Sequence, residues 1–216
     1  MTSIRRLLFL PSIFLCLVSC QDKVNIDNQE SMLGKAAEDS CGFVQNSYGA
    51  RVSWKNNIPV TVLVDPEFAK EFYSAAVAAA EVWNSTTGKK LIVIEKMGAG
   101  VSRYPAQDLN SGLYWRTSWS KDKAIQQAVT TIFYKTNSIS EADIKVNAQD
   151  FDFYLEDPNS LREVHMESLL IHEFGHLLGL KHSSVLGSVM WATLPATIER
   201  KIIPENDLKS MNCEYQ

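Results

Sequence analysis

Between residues 58 and 97 the hydrophobic period changes twice. "IPVTVLVD" (58–65) is β-branched and bounded by Pro59 and Pro66, which predicts a strand. "PEFAKEFYSAAVAAAEVWNSTTG" (66–88) then brings Phe68, Phe72, Ala76, Ala79, Val82 and Trp83 round at helical spacing, with Pro66 in the first turn and Gly88 as the stop. "KLIVIEKM" (90–97) predicts a second strand, and the order strand, helix, strand implies a crossover in a partly parallel sheet. Residues 98–120 mix Gly, Ser and aromatics without a period and read as a long surface excursion. "QAVTTIFY" (127–134) predicts a third strand and "EADIKVNAQDFDFYLED" (141–157) a fourth. "SLREVHMESLLIHEFGHLLGL" (160–180) predicts a long apolar helix, with Ser160 and Glu163 in capping-box positions.

The first forty residues follow another logic. "MTSIRR" is basic and "LLFLPSIFLCLV" (7–18) is apolar, yet twelve helical residues reach only about 18 Å, short of the roughly 30 Å a bilayer core requires. Basic flank, short apolar run and small residues predict an export signal over 1–19. Its end, "LVSC" (17–20), resembles the bacterial lipobox, which implies that Cys20 becomes the lipidated first residue of the mature chain. That places the protein in a bacterial cell envelope, and Gln21 suggests the outer membrane. Residues 20–40 then read as a lipidated Cys and polar tether with a root-mean-square reach of about 25 Å, and residues 41–216 as the folded domain.

Charge adds little to this reading. Losing 1–19 removes Arg5 and Arg6 from the 21 basic residues and none of the 25 acidic ones, moving the balance from −4 to about −6. A mildly acidic chain without a basic run predicts no nucleic-acid partner, and a monomer is expected. Of the four cysteines, Cys16 leaves with the signal and Cys20 carries lipid. Cys41 and Cys213 remain, and in an oxidising compartment they are expected to pair.

The chemistry concentrates in "HEFGHLLGLKH" (172–182), which holds three of the four histidines. His172 and His176 stand at i and i+4, on one helix face and one turn apart, the separation at which two imidazoles share one zinc. Glu173 is rotated off that line, placed to take a proton from a water without ligating the metal. Gly179 supplies a left-handed exit from the helix, past which His182 returns as a third ligand. Three protein ligands and an open fourth position mark a catalytic zinc. HExxH alone recurs by chance; with the Gly and third His at fixed offsets, chance occurrence in such a chain falls to the order of 10⁻⁵. His165 is expected to be a partly exposed residue at the start of the helix.

The motif matches HExxHxxGxxH and resembles the zinc signature of the metzincin peptidases. Ser183 after the third His and "LGL" after "HEFGH" resemble the matrixin branch; "SVM" with Met190 resembles its Met-turn, and "IPENDLKSM" (203–211) the opening of its C-terminal helix. The resemblance implies an α+β metzincin-like catalytic domain: a twisted, mixed, mostly parallel sheet, a long backing helix, an active-site helix carrying the motif and a C-terminal helix. It implies His172, His176 and His182 as zinc ligands, Glu173 as general base and acid, and Met190 as an apolar floor. The activity implied is peptide-bond hydrolysis of a protein or peptide substrate in extracytoplasmic space. One zinc per chain is expected, because His165 alone cannot build a second site. Calcium stays open, with no residue pattern indicating it. "FDFY" (151–154) is the candidate substrate edge. An alternative reading makes Cys41 an inhibitory thiolate on the zinc, a version that would leave Cys213 unpaired. A peptide-binding module with little turnover and a cell-wall peptide amidase are competing classes, and the intact catalytic quartet favours the peptidase.

Overall fold

The computed structural model describes residues 23–24 and 40–216. The stretch read as an export signal, Cys20 and most of the stretch read as a tether therefore lie outside the described residues. Strand β2 (Val60–Val64) points Val60, Val62 and Val64 inward, and helix α1 (Tyr73–Thr87) follows after a short 3-10 turn, Lys70–Phe72. Ala75, Ala76, Ala79 and Ala80 give α1 a flat buried face that lies close to the sheet, and Gly88 ends it in the left-handed conformation (φ 67°). Strand β3 (Ile92–Lys96) returns parallel to β2, with Val60 opposite Ile92.

The segment read as a surface excursion contains a strand, β4 (Ser111–Arg116), parallel to β2 on one side and to β6 (Ser138–Asn147) on the other. Its first four residues are all buried, so it lacks the alternation that marks a half-exposed strand. Strand β5 (Ala128–Lys135) pairs antiparallel with β6, and β1 (Lys23–Val24) lies parallel along the outer side of β5. The sheet order is β1-β5-β6-β4-β2-β3, mixed and mostly parallel, as expected. Two residues of the stretch read as a tether thus pair with the sheet, Lys23 opposite Thr131 and Val24 opposite Ile132. "FDFY" is no edge of this sheet. Its last two residues form β7 (Phe153–Tyr154), which pairs with β8 (Val164–His165) in a separate two-stranded ribbon, while Phe153 packs on Phe72 and Trp115.

Helix α2 (Met166–Leu177) starts five residues later than the capping-box pattern suggests. Glu163 does receive the Ser160 and Asn159 amides, but it closes a turn ahead of the helix. The N-cap is His165, which is fully buried: its Nδ1 accepts from Ser168 N at 3.2 Å, and its Nε2–H donates to Leu155 O at 2.9 Å. A ring nitrogen thus takes the role a Ser or Asp oxygen usually fills. Helix α3 (Glu205–Asn212) closes the chain, and Cys41 and Cys213 form a disulfide across 172 positions. Loop-closure reasoning for a ring of that length gives at most about 5 kcal/mol of stabilisation. The pairing also leaves neither sulfur as a thiolate, which removes the inhibitory reading of Cys41.

Glu141 and Asp143, on one face of β6, are buried carboxylates that accept backbone N–H groups from the preceding segment: Leu109 to Glu141 at 2.6 Å and Gly112 to Asp143 at 3.1 Å. Burial first, and then the neighbouring Glu141 charge, push Asp143 up to about 7. An acid whose folded value is raised holds its proton more tightly when folded. Its stabilising contribution is complete below the unfolded value near 3.8 and is lost as pH rises through about 7. The urea midpoint is therefore expected to fall from about pH 4 to about pH 7 and to level off above that, and Asp143→Asn to flatten that slope. Equal slopes in the two proteins would contradict it.

Candidate metal centre

Helix α2 carries His172 and His176 on one buried face, and every residue from Met166 to Leu177 except Glu167 is buried. Trp83 of α1 donates from Nε1 to Ile171 O at 2.9 Å, tying α1 to α2. The carbonyls at the helix end, which lack partners within the helix, are taken by Trp54 Nε1 (Leu177 O, 2.8 Å) and the Tyr215 hydroxyl (Leu178 O, 2.7 Å). The helix is thus fixed at both its flank and its end.

Past Leu178 the chain turns at Gly179, whose φ is 102°. A Cβ there would stand 2.6 Å from the Val52 carbonyl oxygen, so the position needs glycine both for its backbone and for its space. The turn brings His182 back. Its ring lies 5.3 Å from His172 and 4.7 Å from His176, centroid to centroid, and the three rings' ligand nitrogens all fall within 4.8 Å of one another.

Hydrogen bonding fixes which nitrogens face inward. His172 Nδ1–H donates to Val189 O at 2.7 Å, and His176 Nδ1–H donates to Leu180 O at 2.8 Å. A carbonyl only accepts, so in both neutral rings the proton is on Nδ1 and Nε2 presents a lone pair. Burial, reinforced by the facing histidines, holds both rings well below ordinary imidazole values, His176 down to about 3. The two Nε2 atoms nevertheless stand 3.0 Å apart. Two lone pairs so close, in rings that stay neutral, are a receptacle for a cation. The donor set, three imidazoles, suits zinc.

Met190 packs against helix α2 at Gly175, between the two helical histidines. Its sulfur fills the space beside Gly175, where an added Cβ would come within 2.2 Å of it, so the small residue inside the motif leaves room for the methionine. The strip after His182 is registered to the same turn: Ser183 N donates to Met190 O at 2.8 Å, and Ser183 pairs with Trp191. Two residues missing from the sequence-based site complete it. Buried Asp207 on α3 accepts from the Ser188 hydroxyl and from Val189 N, both at 2.7 Å, and so holds the carbonyl that orients His172. The "IPENDLKSM" resemblance covers Asp207 without assigning it a role. The hydroxyl of Thr130 on β5 donates to Glu173 Oε2 at 2.6 Å. His165 lies outside the cluster, committed to its cap.

A mixed sheet with a strand backing a helix that presents two histidines, and a third returning over a methionine turn, defines a metzincin-like catalytic domain. The chain belongs to the matrixin family, whose model matches residues 70–216. Over 44 residues it is 52% identical to Metalloendoproteinase 2-MMP of Arabidopsis thaliana, covering 20% of this chain and 11% of that protein. Over 50 residues it is 36% identical to Metalloendoproteinase 1 of Glycine max, covering 23% and 16%. The matched stretches thus span less than a fifth of those relatives' lengths.

Proposed function

We propose that this chain is a zinc-dependent endopeptidase cutting proteins or peptides outside the cytoplasm. The observation that carries the reading is the inward convergence of three imidazole nitrogens, two with lone pairs facing at 3.0 Å, beside the buried carboxylate of Glu173. His172, His176 and His182 would hold the ion, which supplies Lewis acidity: it makes a water ionise near neutral pH and polarises the scissile carbonyl. Glu173 accepts the proton of the attacking water and returns it to the departing amine nitrogen. Val189 O and Leu180 O, as acceptors for the Nδ1 protons, keep the two ligating rings in one tautomer and one orientation.

The substrate edge we assign is the outer side of β5, the strand whose Thr130 touches Glu173. An extended peptide would add there as a further strand, in the place that Lys23 and Val24 take along Thr131 and Ile132. The lipobox-like "LVSC" supports attachment of the mature chain to a membrane through Cys20, with the domain in the cell envelope.

The test is metal analysis with a mixed peptide library. One zinc per chain, cleavage of library peptides, loss with a chelator and recovery on adding zinc are expected. A chain that holds no transition metal, or one that cleaves equally well in chelator, would overturn the reading.

A further inference from the structure

Glu173 is buried and sits one position beyond the first ligand, on the flank of α2 that faces β5. A buried carboxylate on three rotatable bonds has several rotamers, and a general base works only when one of its oxygens is held towards the proton it takes. The structure shows what selects the rotamer. Thr130 lies within β5, opposite Ile144 of β6, and is 3% exposed. Its hydroxyl lies 2.6 Å from Glu173 Oε2 and 3.4 Å from the Glu173 main-chain oxygen. The short contact is a charge-assisted hydrogen bond with the hydroxyl as donor.

We propose that Thr130 is a positioning residue for this site: it clamps one oxygen of Glu173 to β5 and so assigns proton transfer to the other. The inference rests on Glu173 acting as the base. β-Branching suits Thr130 to its strand and restricts χ1, so the donor is itself pre-set. The next two residues, Thr131 and Ile132, are those along which the outer strand pairs. A peptide bound on that edge would therefore stiffen the segment that holds the carboxylate, linking substrate docking to the alignment of the base.

Thr130→Val keeps the shape and strand preference and removes only the donor, while Thr130→Ser keeps the donor. In the full chain, Thr130→Val is expected to lower kcat about tenfold or more, with KM within about twofold and zinc stoichiometry unchanged, and Thr130→Ser to recover kcat to within about threefold. A second measurement needs no turnover: urea unfolding of Thr130→Val in the natural chain and in a Glu173→Ala background. With Glu173 present the substitution should raise the unfolding constant about tenfold; in the Glu173→Ala background the hydroxyl has lost its short carboxylate acceptor and keeps only the 3.4 Å main-chain contact, so the change should be within about twofold. An equal shift in both backgrounds overturns the clamp, as does full kcat in Thr130→Val or failure of Ser to rescue. A wild-type chain that cleaves nothing would sink the peptidase reading, while the unfolding cycle would still decide whether Thr130 holds Glu173.

Discussion

Replacing Glu173 with Gln is expected to lower kcat/KM for peptide hydrolysis by about 10²–10⁴-fold while the chain keeps its single zinc. Gln matches Glu in length, and its amide oxygen still accepts from the Thr130 hydroxyl that now lies 2.6 Å from Oε2. What disappears is the capacity to take a proton. The three imidazoles are oriented by Val189 O, Leu180 O and the Gly179 turn, none of which involves the Glu173 side chain. Metal content and folding should therefore match the parent protein, and burial of a neutral amide in place of a carboxylate removes a desolvation cost. Steady-state cleavage of one library peptide, read beside zinc content and a urea midpoint, separates the outcomes. Retained hydrolysis would move the proton transfer to another group. Lost zinc would make Glu173 part of the ion's support and leave its role as a base without a test.

The sequence made the local parts of this site legible and hid the distant ones, for a physical reason. The i, i+4 spacing and the glycine three residues on are constraints within a single turn of backbone, so they show as a string, and the three rings do converge. Gly88 is readable for the same reason: a left-handed helix end favours glycine whatever surrounds it. Thr130 and Asp207 stand 43 and 18 positions from the groups they hold, Glu173 and Val189, and neither belongs to a periodic pattern. A threonine in a strand and an aspartate at a helix start look ordinary until the fold brings them to a partner. β4 escapes the pattern because a strand covered on both sides loses its alternation, and "SGLYWR" also begins with two poor strand formers. The start of α2 is misplaced by sequence because Ser160 and Glu163 satisfy a capping pattern locally, while burial of His165 against Leu155 and Ser168 fixes the real start.

Gly179→Ala is expected to weaken zinc binding by about 100-fold or more and to cost about 2–5 kcal/mol of folding stability, the sum of left-handed strain and a forced contact. The residue has a φ of 102°, where an L side chain is strained, and its new methyl carbon would sit 2.6 Å from the Val52 carbonyl oxygen. That oxygen has little freedom to retreat. The 42–52 segment runs back against the turn, with Val44 N donating to Gly179 O, Lys181 N to Gly42 O and Val52 N to Val44 O, all within 2.8–2.9 Å. Its start is bolted to the end of α3 by the Cys41–Cys213 disulfide. Relief must come from the Gly179 side, by rotating the segment that leads to His182. His172 and His176 stay on the helix, so the variant should behave as a two-imidazole site: zinc still associates, but weakly and with fast exchange. Competition against a chromophoric chelator reads the affinity and a urea titration of the metal-free chain reads the strain. Loss of stability with unchanged affinity would mean that His182 reaches the ion by a route independent of this turn. Unchanged values of both would mean that the 42–52 segment yields more readily than its hydrogen bonds imply.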